Sequence, residues 1–523
     1  MFVFYDTETS GLEKGSQILQ IALVFTDDDM NILSSKKLAC RRSPWTVPTP
    51  GAMLITGFTP DDLKNAPLSN YEMMKEVDSW ARAQHWPVTF VGYNSLGFDE
   101  ERVSDNLRQC LLDPHLTTAK DAHNGQSNGR GDVAKLVKAA AIYAPGALTL
   151  KKKNDFGYPS MSLGNVAAQN GVHLSAEDAH DAMNDVKATI GVAQAVRHAA
   201  PRVWDEMMAL STVAGVDDFL QKNKLLTRSE MSSGRTRSVV QAPLWPVEQG
   251  GKHIMFNTAF DPAPYKKMTV DQLVKELTSK QWWEKRPFDV LDKASQPIMM
   301  PLDASEAVLP KDFDRNVREA RAGELQQDAT FMARLAQAAA LAFPSKPEMP
   351  QGMRDKLETW QHDFHNSASW QDDADKVRSF YEDFKTELQG PHANDVRQVV
   401  KYAGRQVFEH DPSTLPQEKQ DAMKRYIAGR ALTPDMTVPW ATVPKARAEL
   451  SKIEKERAEG SKKWADVTDT QIRALKLYYT AIEKDLSPYY TPPAQGQFNN
   501  VANDNRADDA PAMRNRKNGP DPR

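Results

Sequence analysis

The chain has 523 residues, which is too long for one hydrophobic core, so a division into three or four units is expected. Hydrophobic residues make up 40% and charged residues 26%, as in ordinary globular proteins, and a formal net charge of −4 neither favours nor excludes nucleic acid as a partner. Two cysteines exclude a disulfide scaffold, and no apolar run approaches the roughly 20 residues of a membrane span. Because an apolar strand is predicted from residue 2, we expect no cleavable leader and a soluble, cytoplasmic protein without a membrane partner.

The first 210 residues alternate between strand and helix patterns. Apolar runs at 2–6, 18–26 and 32–40 predict an antiparallel meander, and the run at 88–92 predicts a fourth strand. Helical spacing of apolar residues is found, in chain order, at 70–84, 98–112, 131–144, 162–170 and 178–210. The predicted fold class is α/β, a mixed sheet with flanking helices.

The remainder of the chain changes character near residue 222. The stretch 222–237 is basic and predicts either a flexible connector or a loop lying on phosphates. Short strands at 254–256, 288–291 and 299–300, with a helix near 269–279, predict a small β domain. Residues 352–486 are helical in pattern almost throughout, and 491–523 have the composition of a disordered tail, either inert or carrying a partner-binding peptide. The predicted units are 1–205, 206–350, 351–490 and 491–523.

An acidic pair ends the first predicted strand. Asp6 and Glu8 are two residues apart, so on an extended backbone both carboxylates project to one face and can reach one metal ion. An acid at a strand end with another in the next turn is also common in proteins without any catalytic role. The pair alone therefore does not identify a catalytic site.

Two further segments supply acids and a histidine. Asp99 comes after Gly92-Tyr93-Asn94, where Glu100 or Glu101 are alternatives and the helix dipole alone would favour an acid. His180 and Asp185 would lie about 140° apart on a regular helix. They converge only if His180 sits at the helix entry, or if the metal and the attacking water lie on different sides of Asp185. An imidazole with an ordinary pKa near 6.5 suits proton removal from water, although an exposed histidine among acids is the alternative.

Four carboxylates and one histidine in this order are the parts of a two-metal phosphodiester-cleaving site. The ordered set resembles the DEDDh class of 3′→5′ exonucleases, which have a ribonuclease H-like fold, over residues 1–200. Within that class, the segments 50–60, 92–100, 158–172 and 180–189 resemble the bacterial exodeoxyribonuclease I family, and 370–375 is a fainter echo of it.

The resemblance implies roles for particular residues. Asp6, Glu8, Asp99 and Asp185 would bind two Mg²⁺ ions, for which Mn²⁺ can substitute, and His180 would be the general base. The elements that would hold the 3′-terminal nucleotide comprise Thr9, Gly11, Leu12, Ile55, Thr56 and Gly57, with Arg130 as a phosphate contact. Thr7 stands where a close relative carries an aromatic residue. We expect this difference to concern packing alone, because the side chain should point away from the metals.

The resemblance also implies the later domains and the substrate. The middle domain would be an SH3-like barrel and the last all-α, together closing a groove over single-stranded DNA. The length beyond residue 200 separates the chain from the shorter proofreading subunits, ribonuclease T and oligoribonuclease. The aromatic pairs Trp282-Trp283 and Tyr478-Tyr479 would either stack on bases or pack in cores.

The predicted function is a processive, Mg²⁺-dependent exonuclease of DNA repair or recombination. It would act as a monomer on the 3′ end of single-stranded DNA, release 5′-mononucleotides and have a single-strand-binding protein as a partner. Two alternatives stay open: an exoribonuclease of the same class, and a non-catalytic single-strand-binding module that retains the fold.

Overall fold

The structure is a computed structural model. It describes residues 1–13, 15–84, 86–121, 125–153, 157–173, 181–232, 235–249, 252–343, 405–410 and 412–492. The predictions made for His180, for the segment 370–375 and for all but the first two residues of the tail lie outside the described residues.

A five-stranded mixed sheet forms the centre of the first domain, with strand order β3-β2-β1-β4-β5. Its strands are β1 (Phe2–Thr9), β2 (Ile18–Thr26), β3 (Ile32–Ala39), β4 (Thr89–Gly92) and β5 (Gly129–Asp132). The first three pair antiparallel, as the apolar runs predict, whereas β4 and β5 extend the sheet in parallel. Strand β5 has the sequence Gly-Arg-Gly-Asp, which has no apolar run and was not predicted.

Helices cover both faces of this sheet. They are α1 (Pro50–Thr56), α2 (Pro60–Asn65), α3 (Asn70–Arg82), α4 (Asp99–Gln109), α5 (Val133–Tyr143), α6 (Leu163–Gln169), α7 (Ala182–Ala199), α8 (Pro201–Ala209) and α9 (Val213–Lys222). Because strand side chains alternate, Phe4 packs with α5 and α7 on one face, while Val3 and Tyr5 pack with α3 and α4 on the other. The described part of the predicted helix 178–210 contains two helices, since Pro201 cannot continue α7 and instead begins α8. The predicted α/β fold class is confirmed.

The second domain contains an antiparallel sheet of order β10-β6-β7-β8-β9. Its strands are β6 (Leu226–Ser232), β7 (Arg235–Gln249), β8 (Lys252–Asn257), β9 (Phe288–Asp292) and β10 (Met299–Pro301). Three helices accompany it: α10 (Val270–Leu277), α11 (Arg315–Gln326) and α12 (Ala329–Ala342). The shared core includes Phe256, Phe288 and Phe331, each fully buried.

Most of the described part of the basic stretch 222–237 lies in strands, so the prediction of a flexible connector or a loop is wrong there. It begins at the end of α9 and continues into the β6–β7 hairpin. Three of its five cations are paired within the protein: Lys222 with Asp218, Arg228 with Asp289 and Arg237 with Glu284. The basic residues misled because two of them, Arg228 and Arg237, pair with acids that come much later in the chain.

Three helices dominate the described part of the C-terminal region, as predicted. They are α13 (Gln417–Leu432), α14 (Val443–Ala458) and α15 (Asp469–Leu486), and they share a hydrophobic core with α1 of the first domain. Tyr479 is fully buried, and its hydroxyl donates a hydrogen bond to the Pro48 carbonyl oxygen at 2.9 Å. Trp283 is buried as well, whereas Trp282 is 55% exposed. Among the described helices, none has the length and apolar content that crossing a bilayer requires.

Candidate metal centre

Three carboxylates meet at the end of β1. Asp6 and Glu8 of β1 and Asp185 of α7 each present an oxygen, and the three oxygens lie within 4.8 Å of one another. The residues are 5%, 4% and 1% exposed, respectively. The structure therefore brings together, in one buried group, three of the four acids that the sequence predicts as metal ligands.

The position of Asp185 depends on how α7 begins. Asp181 caps the helix by accepting hydrogen bonds from the backbone N–H groups of Met183 and Asn184, and this places Asp185 in the first turn. Gln20 of β2 accepts a hydrogen bond from the Ala182 N–H at 3.0 Å, which ties the helix start to the sheet. Since Asp181 is non-helical, the positions from 180 to 185 do not all belong to one regular helix. His180 itself lies outside the described residues, so its position relative to Asp185 stays a prediction.

Asp99, the fourth predicted ligand, is not one of these three clustered acids, but it contacts β1, the strand that carries Asp6 and Glu8. Its Oδ1 accepts hydrogen bonds from the Thr7 hydroxyl at 2.6 Å and from the Thr7 backbone N–H at 3.2 Å. The two alternative acids are engaged elsewhere, because Glu100 pairs with Arg130 and Glu101 with Arg102. Of the three acids at the start of α4, Asp99 is therefore the one that reaches β1.

The turn before α4 explains why Asp99 can approach. A Cβ on Gly92 would lie 2.5 Å from Ser95 Cβ and 3.0 Å from the Tyr5 carbonyl oxygen, so the end of β4 requires glycine. Asn94 then adopts a left-handed conformation with φ 60°, and its N–H donates to Asp132 Oδ1 at 2.8 Å. The sharp turn ends β4 and starts α4 at Asp99, next to the strand that holds Asp6 and Glu8.

The expectation that Thr7 concerns packing alone is wrong. Its side chain was expected to concern packing alone, yet the hydroxyl donates directly to a predicted metal ligand. The spacing of Asp6 and Glu8 correctly places their carboxylates together, but it says nothing about a partner that arrives from position 99. A small hydroxyl residue between two acids was the available signal.

The residues predicted to hold the terminal nucleotide form two adjacent elements. In the turn after β1, Thr9 donates to the Gly11 carbonyl oxygen at 2.9 Å, and Leu12 is 67% exposed. Thr49, the N-cap of α1, donates its N–H to the Ser10 carbonyl oxygen at 2.8 Å and so joins this turn to α1. Ile55 and Thr56 end α1, and Gly57 caps it with φ 73°.

Arg102 holds the turn after β1 from the side of α4, and the sequence reasoning missed it. Its Nη2 donates to the Leu12 carbonyl oxygen at 2.7 Å, and its guanidinium lies 4.8 Å from the centre of the Phe98 ring. Arg130, by contrast, forms a two-pronged ion pair with Glu100 at 2.6 and 2.8 Å. A phosphate contact by Arg130 stays a prediction, and the structure gives its guanidinium an internal partner.

The donor set fits a divalent metal ion. Three like charges gathered in a buried group repel one another, and a cation between them would offset that repulsion. Carboxylate oxygens are hard ligands, which suit Mg²⁺ or Mn²⁺ better than ions that prefer thiolate. The fold and this acidic group together define a class of α/β domain with a buried carboxylate site for a divalent cation, a site that suits phosphodiester cleavage.

Comparison with known sequences supports the same class. Residues 3–193 match the model of the family described as Exonuclease (RNase_T). Exodeoxyribonuclease I of Buchnera aphidicola subsp. Schizaphis graminum is 30% identical over 206 residues, 39% of this chain and 41% of that protein. Exodeoxyribonuclease I of Escherichia coli K12 is 27% identical over 329 residues, 60% of this chain and 66% of that protein. The matches thus span about two fifths to two thirds of these relatives' lengths.

Solved structures extend the likeness to most of the chain. Exonuclease I from Methylocaldum szegediense gives a TM-score of 0.71 at 20% identity, covering 92% of this chain and 99% of that one. E. coli exonuclease I in complex with a dA16 oligonucleotide gives 0.69 at 22% identity with the same coverage. At these identities the likeness establishes the fold. The predicted resemblance to bacterial exodeoxyribonuclease I is confirmed, in sequence over the N-terminal region and in fold over most of the chain.

Proposed function

We propose that this protein is a divalent-metal-dependent 3′→5′ exonuclease that hydrolyses single-stranded DNA to 5′-mononucleotides. The observation that carries the proposal is the convergence of the Asp6, Glu8 and Asp185 carboxylates, from two separate elements, within 4.8 Å. A core-packing explanation does not account for three buried acids at one point, since burying like charges together costs free energy.

Asp6, Glu8, Asp99 and Asp185 would hold the metal ions, which we propose to be two Mg²⁺. Divalent ions in such a setting activate a water and stabilise the charge that develops on the leaving oxygen of a phosphodiester. His180 precedes the capping residue of α7 by one position, and we propose that it takes the proton from the attacking water. The turn from Thr9 to Leu12 and the end of α1 would hold the last nucleotide.

The substrate and partner proposals draw on proteins of the same fold. E. coli exonuclease I has been solved in complex with a dA16 oligonucleotide, and a zinc-bound ExoI–ssDNA complex is also known. A further solved complex is described as ExoI/SSB-Ct. For this chain we propose single-stranded DNA as substrate, a single-strand-binding protein as partner, and a role in DNA repair.

The arrangement of the later domains supports a groove around the strand. The second domain docks on the first through Gln296, whose side chain accepts from the Asp132 N–H and donates to the Met207 carbonyl oxygen. The C-terminal helices dock on α1, where Glu449 accepts from the Gly51 N–H at 3.2 Å. Since both attach to the nuclease domain on different elements, we propose that they enclose the DNA and make the enzyme processive.

The decisive experiment monitors the release of nucleotides from end-labelled single-stranded DNA, duplex DNA and RNA, each with Mg²⁺ and with a chelator. We expect 5′-mononucleotides from the 3′ end of single-stranded DNA, with Mg²⁺ and not with chelator. Faster digestion of RNA would replace the substrate assignment with the exoribonuclease alternative. Metal-independent binding without hydrolysis by the parental protein would favour the non-catalytic module.

Two variants link that result to the site. Asp185→Asn should abolish hydrolysis while leaving the fold intact, because it removes one carboxylate charge at constant shape. Asp205→Asn, an exposed acid on α8, is the matched control and should keep the parental rate. Parental activity in Asp185→Asn would refute the site assignment even if the protein proved to be a nuclease.

A further inference from the structure

We infer that Thr7 is a positioning residue that fixes the Asp99 carboxylate against the strand carrying Asp6 and Glu8. The inference rests on the proposed function, since it concerns how one metal ligand is oriented. Thr7 itself lies between the two acids of β1, and it would act on the reaction through Asp99.

The contact is short and buried, and two donors of Thr7 reach the same carboxylate oxygen. The Thr7 hydroxyl oxygen lies 2.6 Å from Asp99 Oδ1, and the Thr7 backbone nitrogen lies 3.2 Å from the same oxygen. Thr7 is 2% exposed and Asp99 is 5% exposed. Bulk water therefore has little access to replace the hydroxyl, and hydrogen bonds to a charged acceptor are stronger than those between neutral groups.

The topology explains why this edge of β1 accepts a side chain. Strand β4 pairs with β1 in parallel at Phe2, Val3 and Phe4 only, and β4 ends at Gly92. Beyond that point, no strand of the described part of the chain lies beside the β4-facing edge of β1, and the Thr7 N–H donates to Asp99 instead. The Asp99 carboxylate thus takes the place of the β4 backbone as the partner of β1 at this position.

The two hydrogen bonds differ in their dependence on sequence. The N–H donor is present with any residue except proline at position 7, whereas the hydroxyl donor requires threonine or serine. Together they restrict rotation of the carboxylate, because one oxygen is held by two donors from a rigid strand. A substitution can therefore remove the hydroxyl donor but not the N–H donor. Its removal should let the Asp99 side chain rotate more freely without displacing β1.

The test replaces the hydroxyl while keeping the shape. Thr7→Val removes it at nearly constant volume, and Thr7→Ser retains it. Thr26→Val is the matched control, since Thr26 is another fully buried threonine of the same sheet, with its hydroxyl on the Asp27 carbonyl oxygen at 3.0 Å. Mn²⁺ affinity is measured by calorimetric titration without DNA, and kcat and KM are measured on single-stranded DNA with Mg²⁺.

We expect Thr7→Val to weaken Mn²⁺ binding about 10–100-fold, the usual effect of losing a partner that orients a metal ligand. Its kcat should fall while KM for DNA stays close to the parental value, because the nucleotide-holding turn is unchanged. Thr7→Ser should restore both properties, and Thr26→Val should leave both unchanged. A merely structural role for Thr7 would lower thermal stability without this pattern of rescue.

Two outcomes would overturn the inference. Parental Mn²⁺ affinity and kcat in Thr7→Val would show that the hydroxyl does not orient Asp99, while leaving the proposed nuclease function standing. A parental protein that neither binds Mn²⁺ nor cleaves DNA would remove the proposed function and the inference together. If Thr7→Val fails to fold, Thr7→Ser and Thr7→Ala form a second pair that differs in the hydroxyl alone, and equal Mn²⁺ affinity in that pair would also refute the inference.

Discussion

Arg102 Nη2 donates a hydrogen bond to the carbonyl oxygen of Leu12 at 2.7 Å, and the guanidinium is held over the Phe98 ring. Arg102 lies one turn along α4 from Asp99, so a single helix carries one predicted metal ligand and also contacts the turn predicted to hold the nucleotide. Asn106, one turn further, donates to the Ser16 carbonyl oxygen and accepts from the Ile18 N–H. The loop between β1 and β2 is therefore positioned by α4 along much of its length.

Arg102→Lys should raise KM for single-stranded DNA about tenfold, the effect of losing roughly 1.4 kcal/mol of hydrogen bonding in a buried setting. Lysine keeps the charge but lacks the planar group that lies on Phe98 while reaching Leu12. Steady-state kinetics on an oligonucleotide series would measure the change. Arg82→Lys is the matched control, since Arg82 also lies over an aromatic ring, that of Trp86, but on α3. An unchanged KM in Arg102→Lys would show that nucleotide binding by the turn does not depend on this contact.

Metal binding should stabilise the parental protein against heat. A ligand that binds the folded state alone raises the free energy of unfolding by about 2.7 kcal/mol at one hundred times its Kd. Thermal unfolding with Mn²⁺ should therefore show a higher Tm than with chelator. In Asp185→Asn this rise should be lost, and the Tm in chelator should exceed the parental one because a repelling charge is gone. A metal-induced rise that survives in Asp185→Asn would place the ion elsewhere.

The strands and acids of the first domain were predictable because each depends on local pattern. The apolar runs of β1, β2 and β3 and the two-residue spacing of Asp6 and Glu8 are visible without a structure. Strand β5 was missed because its four residues contain no apolar side chain and pair with β4 through backbone contacts.

The ion pairs of the basic residues on β6 and β7 and the contact between Thr7 and Asp99 were missed for another reason. Each depends on a partner far along the chain: Arg228 pairs with Asp289, and Asp99 reaches position 7 only after the sheet has formed. A run of basic residues looks solvated when its acidic partners lie some 50 residues away in sequence. Long-range pairing of this kind leaves no trace in a local window.

His180→Ala should lower kcat about 10²–10⁴-fold, the usual range for a lost general base. The Mn²⁺-induced rise in Tm should persist, because the acids proposed to hold the ion are untouched. His198→Ala removes an exposed histidine from the last turn of α7 and serves as the control. A parental kcat in His180→Ala would assign the proton to another acceptor, whereas loss of the metal-induced Tm rise would make His180 a ligand.

The last prediction concerns a partly buried acid where the segment 405–410 meets the first domain. Glu409 accepts hydrogen bonds from the Ser43 hydroxyl at 3.3 and 3.2 Å. Burial raises its pKa from 4.5 to about 7, while the Ser43 hydrogen bond and the charges of Arg41 and Arg42 act to lower it and Glu72 acts to raise it. The folded protein therefore binds a proton that the unfolded chain releases between these pH values.

The sign of the effect is set by that proton. Because the folded state binds more protons, the contribution of Glu409 to the free energy of unfolding is greatest below pH 4.5 and falls as the pH rises to about 7. Glu409→Gln removes this dependence, so its stability relative to the parental protein should rise between pH 5 and pH 8 by at most about 3 kcal/mol. Burial lowers the pKa of the adjacent His410, so this histidine makes the free energy of unfolding rise with pH in the acidic range. His410 is present in both proteins, and its effect therefore cancels in the comparison. Urea unfolding at several pH values would measure the difference.

The control for Glu409 is Glu418→Gln, which neutralises an exposed glutamate on α13 and should show no such trend. The groups around Glu409 that titrate or carry charge also include the buried thiols of Cys40 and Cys110, whose pKa values are raised by burial and which stay neutral across this range.

A difference between Glu409→Gln and the parental protein that does not vary with pH would mean that Glu409 is ionised in the folded state. In that case Arg41 and Arg42 would outweigh burial, and the junction between the segment 405–410 and the first domain would be held by an ion pair.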